Sequence, residues 1–472
     1  MRDTRKLVLE KVDEFRYRVP IGSVPGMRTE GILFSSERLS AAATDDSSVV
    51  QLANVATLPG IVGPALAMPD IHFGYGFPVG GVAAFDLTEG IVSPGGIGYD
   101  INCGVRLIRT RLTETDVRPR LGELMKQLYR NVPSGVGTKG PVRLEGPAID
   151  GPLSSGRRWA VENGYGWSED ASHEEEGGAL AGADPAHVSA HAKDRGRKQL
   201  GTIGSGNHFL EVQKVETTLF PEKAQELGLH EGKVVIMLHT GSRGLGHQVG
   251  TDYIARMDQE IQAKGVPLID RQLSCAPIDS TAGREYLAAM AAAANFAWAN
   301  REIITHRVRQ SFAEVFRETP EALEMQVVYD ISHNMAKFEE HAVAGSRREV
   351  LVHRKGATRA FPGQPVLIPG DMGTASYVLT GLEGSLRESF GSACHGAGRL
   401  LSRTAASRKF DYREVKERLR GQGIVVESAS KDGITEEAPG AYKDVDEVVS
   451  VTEGSGLARR VVRLVPLGVV KG

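Results

Sequence analysis

The sequence predicts an α+β fold: a single large domain with a β-sheet core and glycine-rich loops gathered at one rim. Three observations carry this. Short apolar, β-branched runs recur along the chain, one long stripe of apolar residues keeps helical spacing, and glycine clusters adjoin the runs instead of forming flexible linkers. With 472 residues and no convincing linker, residues 1–472 read as one domain able to bury a large core.

The strand-like runs are "GVRLIRTRL" (104–112), "FLEVQKV" (209–215), "KVVIML" (233–238), "MQVVYDI" (325–331) and "PVLIP" (365–369). A helix is expected from about Arg284 to Glu318, where Leu287, Met290, Ala294, Ala297, Ile304, Val308, Phe312 and Val315 recur at helical intervals. Asp279, Ser280 and Thr281 offer caps before it, and Thr319-Pro320 ends it. A second helix is expected over Asp411 to Arg420. The polar, acidic stretch at about 157–194, with "SEDASHEEEGGALAGAD" at its centre, reads as a long surface insertion.

Six glycine blocks punctuate these elements: "HFGYGFPVGG" (72–81), "SPGGIGYD" (93–100), "GTIGSGNH" (201–208), "HTGSRGLGH" (239–247), "PGDMG" (369–373) and "CHGAG" (394–398). Their separations differ and their flanks are unrelated, so they are not a repeat. They read as loops where backbone approaches a ligand closely.

Composition narrows the class. The charged opening "MRDTRKLVLEKVDEF" does not read as a signal peptide, and no apolar run approaches bilayer length. Three cysteines, Cys103, Cys275 and Cys394, are too few for a disulfide framework, so a reduced, cytoplasmic protein without membrane partners is expected. A net charge of −3 means that any polyanion must be held locally, for instance by "GSRREVLVHRKGATR" (345–359), "RGRKQ" (195–199) or "ARRVVR" (458–463), each of which also reads as a solvated face.

Five residues have the chemistry of a metal centre. His208, His239 and His333 sit at or near the ends of apolar runs, and Asp100 and Cys103 share the D-x-x-C of "GYDINCGV". Each histidine alone reads equally as a core imidazole bonded to backbone. Together they offer a carboxylate, a thiolate and three imidazoles, enough for two ions if the sulfur bridges. Thiolate with imidazoles favours zinc on ligand chemistry alone, whereas phosphate chemistry suits manganese or magnesium. His395, in "FGSACHGAGRLLSR" (390–403), is surrounded by very small residues. It reads either as a buried bend or as an imidazole open to a phosphate.

The combination of "MPDIHFGYGFPVGG", "GGIGYDINCGVR", "GTIGSGNHFLEV", "HTGSRGLGHQ", "DISHNMA", "PGDMGTASYVL" and "CHGAGR" resembles the RtcB family of RNA-splicing ligases, from about Leu58 to the C-terminus. The resemblance implies an RtcB-like fold and an enzyme of tRNA splicing or RNA repair. Such an enzyme joins an RNA 2′,3′-cyclic phosphate or 3′-phosphate end to a 5′-hydroxyl end, using GTP and two Mn2+ ions. It implies that His395 takes GMP and passes it to the RNA 3′-phosphate. It places one ion on Cys103, His208 and His239, and the other on Asp100, Cys103 and His333. Guanosine contacts are implied for Asn207, Phe209, Glu211, His333, Asn334, Pro369, Gly370, Asp371, Met372, Ser376, Gly396, Ala397, Gly398, Tyr442 and Lys471, besides His395. Asp371 stands where the family's pattern has a small hydroxyl residue. Asp70, Arg243 and Gln248 match positions associated with RNA phosphate. The implied partners are RNA, GTP and an archease-type helper protein.

Two other classes use some of the same features. A dinuclear phosphoesterase needs the same ligands but no nucleophilic histidine. A non-enzymatic RNA-binding protein needs stacking aromatics, and with aromatic residues at only 6% and no RNP-like motif such stacking is not evident in the sequence.

Overall fold

The computed structural model describes residues 6–263 and 268–472. Two large, mainly antiparallel sheets form the core. The first has seven strands in the order Glu10–Lys11, Arg16–Val19, Gly31–Phe34, Ile61–His72, Val79–Phe85, Ser346–Lys355 and Asn334–Val343. The second runs Gln326–Ser332, Gly104–Thr113, Lys233–Thr240, Phe209–Thr218, Ala458–Lys471, Ser376–Gly381 and Pro365–Ile368, with Val425–Ser428 parallel to Ala458–Lys471. The chain passes from the second sheet into the first at a single residue, His333, between Ser332 and Asn334.

All five expected strands form, within a few residues of their expected ends. The expected long helix is Thr281–Phe316, with Ser280 Oγ accepting from the Gly283 amide at 3.1 Å. It ends before Thr319-Pro320, because Arg317 turns left-handed at φ 58°. The second helix is Tyr412–Gly421, capped by Asp411. The first sheet was largely unforeseen: its early strands are short, Ile61–His72 and Val79–Phe85 carry glycine or proline, and Asn334–Val343 and Ser346–Lys355 are rich in charge. The Arg243–Ala263 helix was also unforeseen, because Gly244, Gly246 and Gly250 interrupt its apolar spacing.

The 157–194 stretch departs from the expected surface excursion. Its backbone makes short helical turns, but Asp170, Glu174 and Glu175 are buried. Each is drawn in by cations of the core: Asp170 pairs with Arg309 at 2.8 Å, Glu174 with Arg106 at 2.8 Å, and Glu175 with Lys337. In the basic run 345–359, Arg354 and Lys355 are likewise buried, Arg354 against Glu339 at 2.6 Å.

Strand register explains where the site falls. Gly104 pairs with Thr240 and with Ser332, Phe209 pairs with His239, and Lys471 pairs with Phe209. In an antiparallel ladder, the starts of two strands and the ends of three others therefore share one rim of the second sheet. Cys103, His208, His239, His333 and Lys471 all sit at that rim.

Candidate active site

A cavity of about 300 Å³ opens at this rim, and all six glycine blocks contribute to its wall. At its floor the cysteine and histidines converge. Cys103 Sγ lies 3.3 Å from His208 Nε2 and 3.2 Å from His239 Nε2, and His239 Nε2 is 3.2 Å from His333 Nε2. Asp100 Oδ2 is 2.8 Å from His208 Nε2.

A backbone acceptor fixes His239: its Nδ1 is 3.1 Å from the Asn207 carbonyl, so that proton points outward and the Nε2 lone pair inward. His208 meets an acceptor at each nitrogen, the Ile203 carbonyl at 3.0 Å from Nδ1 and Asp100 Oδ2 at 2.8 Å from Nε2. Arg243 Nη1 also lies 3.0 Å from His208 Nδ1, and an arginine can donate only to a nitrogen that carries no proton.

The electrostatics agree. Burial holds His239 and His333 well below the ordinary imidazole range, and their cationic neighbours push the same way. Burial and Asp100 drive the Cys103 thiol up. Burial would raise Asp100, but His208 and Arg243 outweigh it and hold the carboxyl down. His239 Nε2 lies 3.2 Å from both the Cys103 sulfur and His333 Nε2, a crowding of nitrogen and sulfur donors that suits a cation. Cys103, His239 and His333 form one group, and Asp100, Cys103 and His208 another, with the donor atoms of each group within 4.8 Å of one another. The set fits two divalent ions sharing the Cys103 sulfur. In this arrangement His208 lies beside Asp100 and His333 beside His239, while Cys103 Sγ touches both His208 and His239.

His395 lies on the same wall, its ring centroid 4.9 Å from that of His333. Its Nδ1 is 2.5 Å from Asp70 Oδ2, which also accepts from the backbone amides of His395 at 3.0 Å and Gly396 at 3.3 Å. Asp70 is fully buried, and although burial would raise its pKa, His395 outweighs this and lowers it. Nδ1 is thus committed, and Nε2 is the nitrogen with a lone pair to give. The small neighbours have separate reasons. At Gly398, with φ +75°, a Cβ would fall 2.3 Å from the Asp70 carbonyl oxygen, whereas at Gly396 a Cβ would make only ordinary contacts with Pro369, at 3.4 and 3.9 Å. Gly398 lets the His395 loop seat against Asp70, and Gly396 leaves open space beside the imidazole.

The remaining expected residues fall into place unevenly. Asn207, Phe209, Glu211, Asn334, Pro369, Gly370, Asp371, Met372, Ala397, Tyr442 and Lys471 line the cavity. Ser376 is not among the lining residues. It is buried behind the wall, where its Oγ accepts from the Gly370 amide at 3.2 Å. Asp371 Oδ1 caps its own turn, accepting from Gly373 at 2.9 Å, and burial raises its pKa to about 6. Asp70 is sealed behind His395, away from any RNA phosphate, and Gln248 pairs with Arg195 and Asp252. Sequence reasoning missed Glu437, a buried carboxylate that accepts from the Tyr442 hydroxyl, pairs with Arg399 at 3.0 Å and stands 4.0 Å from Lys471 Nζ. Nothing in "TEEAPGAY" marks it. For Asp70 a signal existed: an acid inside an otherwise apolar strand, "ALAMPDI".

A family model described as "tRNA-splicing ligase RtcB" matches residues 51–472. Proteins named tRNA-splicing ligase RtcB align over nearly the whole chain. That of Thermococcus kodakarensis is 55% identical, covering 98% of this chain and 99% of its own length. Those of Archaeoglobus fulgidus and Methanococcus maripaludis are 51% and 49% identical, covering 98% and 99% of this chain and 99% and 100% of their own lengths. The likeness thus extends into the N-terminal segment, and the chain belongs to the RtcB family.

Proposed function

We propose that this protein is an RNA ligase that joins an RNA 2′,3′-cyclic phosphate or 3′-phosphate end to a 5′-hydroxyl end, with GTP as cosubstrate and two Mn2+ ions. The observation that carries this reading is the His395–Asp70 pair beside a five-residue donor set. A phosphoesterase would use the same donors and such an imidazole only as a proton donor, whereas guanylylation uses it as the nucleophile.

In the first step His395 Nε2 attacks the α-phosphorus of GTP, the N–P bond forms and the bond to pyrophosphate breaks. Asp70 holds the Nδ1 proton, so the ring presents the correct nitrogen and its developing positive charge is neutralised. The contact with Asp70 fixes which ring nitrogen faces the cavity, so the site orients His395 for attack. A cyclic end is first opened by water, whose oxygen bonds to phosphorus as the P–O2′ bond breaks and the 2′-oxygen takes a proton, leaving a 3′-phosphate. In the second step an oxygen of that RNA 3′-phosphate displaces the imidazole and gains the GMP. In the third, the 5′-hydroxyl attacks the RNA phosphorus and GMP leaves. Manganese on the donor set would supply positive charge against the triphosphate and the RNA phosphate. Glu211 and Lys471 offer an acceptor to the guanine N1 and N2 hydrogens and a donor to its O6, and Tyr442 offers a ring. Relatives named for tRNA splicing support that role for this chain. Among the described residues no helix is long and apolar enough to cross a membrane.

The test is incubation with GTP and manganese. The protein should gain the mass of one GMP in an acid-labile, base-stable bond. His395→Ala should gain none, yet should still seal an RNA whose 3′ end already carries the guanylate. Phosphate release with no adduct would replace the ligase reading with the phosphoesterase one.

A further inference from the structure

Three glycine blocks bring aromatic rings to one corner of the cavity. Tyr75 comes from 72–81, Tyr99 from 93–100 and His247 from 239–247. The Tyr99 and His247 rings stack, with centroids 4.8 Å apart and planes 20° apart. Tyr75 meets Tyr99 at 5.5 Å and 56°. Both tyrosines are half-exposed and line the cavity, and His247 is exposed.

Rings that cluster are ordinarily part of a core. Among the described residues neither tyrosine belongs to any of the five apolar clusters. The loops that carry them are nevertheless fixed. Lys355, buried with no carboxylate beside it, donates to the carbonyls of Tyr75, of Phe77 at 3.0 Å and of Gly95 at 3.1 Å, tying the first two blocks together. Tyr99 also packs on the Arg243–Ala263 helix, where a Cβ at Gly250 would touch its ring at 3.5 Å. The chain therefore holds three aromatic rings rigidly at an accessible surface.

Their position gives the ligand. Tyr99 immediately precedes Asp100, one of the donors, and none of the three belongs to the proposed guanosine contacts. Tyr75 and Tyr99 line the same cavity as the donors Asp100, Cys103, His239 and His333, so a polynucleotide end held at the donors has these rings within the same cavity. We propose that Tyr75, Tyr99 and His247 form a stacking surface for the unpaired terminal nucleobase of an RNA end. Every base has a π-face, so such a surface holds an end without reading its sequence. The proposal rests on the ligase reading. Either the 3′-phosphate end or the 5′-hydroxyl end could supply the base.

The experiment uses the full-length, manganese-loaded protein and two RNAs, with 2-aminopurine as the last base of a 3′-phosphate end or as the first base of a 5′-hydroxyl end. Wild-type protein should quench one of them on binding, which identifies the end. Tyr99→Ala and His247→Ala should lose that quench, and Tyr99→Trp should keep it. In joining assays, an abasic nucleotide at the identified end should raise KM about tenfold for wild type and scarcely at all for Tyr99→Ala. His247 is exposed, so its variant tests the idea even if Tyr99→Ala folds poorly. No quench with either RNA, or quenching by both alanine variants equal to wild type, overturns the proposal. A wild-type quench without any GMP adduct would keep the stacking surface and remove the ligase reading.

Discussion

Asp70 and Glu211 show how single buried groups set the chemistry of the site. The Asp70 carboxylate behind His395 accepts three N–H groups through one oxygen, so the ring position and the loop position are fixed by the same atom. Asp70→Asn keeps the volume but removes the charge and places an amide where the imidazole donates. The rate of GMP adduct formation should fall about a hundredfold or more. Metal content should not change, since Asp70 is no donor. An adduct rate within about threefold of wild type would show that orientation by Asp70 is dispensable. At Glu211, burial raises the carboxyl to about 8, so it is protonated at neutral pH. Its folded value lies above its unfolded one, so the stability it lends is complete below the ordinary carboxyl range and is lost as pH rises through about 8. Guanine offers donors to this group and prefers the carboxylate, so nucleotide binding should expel a proton. GTP affinity, read with a fluorescent analogue, should climb by up to about tenfold per pH unit below pH ~8, and Glu211→Gln should flatten the profile. A flat wild-type profile would remove Glu211 from the guanine edge.

The strand ends are the elements that build the donor set, and they explain what was legible in the sequence. Ligands at the ends of paired strands in one ladder must share a rim, so Cys103, His208, His239 and His333 could be gathered from patterning alone. Because Cys103 belongs to both donor groups, Cys103→Ala should lose nearly all bound manganese after dialysis. His208→Ala and His333→Ala should each lose about half, read by elemental mass spectrometry. Full occupancy in the Cys103 variant would end the shared-sulfur arrangement. Other features were out of reach of the sequence. The partner of His395 lies 325 residues away on the Ile61–His72 strand, a distance no local pattern spans. Ser376 had the right chemistry but sits one layer behind the wall. The run at 168–184 reads as solvated because carboxylates ordinarily are, and only the arginines and Lys337 opposite them make burial tolerable. The three rings of the aromatic corner come from three blocks, so 6% aromatic content concealed them.

Across the whole molecule, one guanidinium links the elements that carry the donors. Arg301, fully buried on the Thr281–Phe316 helix, donates to the Asn102 carbonyl at 2.9 Å and the Thr240 carbonyl at 3.1 Å, and holds Asp330 at 2.8 and 2.9 Å. Asn102 precedes Cys103, Thr240 follows His239, and Asp330 lies on the strand that ends before His333. The network extends outward: Arg106 pairs with Asp330, Glu302 and Glu174, and Arg157 with Glu174. Three arginines thus face three carboxylates in the interior, which is how so much charge can be buried. Glu175 completes the link by accepting from the Ser332 amide at 2.9 Å, so the acidic stretch closes the back of the donor set. Removing one member leaves its partners charged and unpaired. Arg301→Met should therefore cost about 3–5 kcal/mol in urea unfolding, far more than the lost packing alone. Arg301→Lys should recover part of that, because it keeps the charge. It should still retain less manganese than wild type, since an ammonium cannot reach two carbonyls and a carboxylate with the geometry of a planar fork. If Arg301→Met unfolds within about 1 kcal/mol of wild type and holds its full metal complement, the strand ends are fixed by the sheet alone and the guanidinium is not their link.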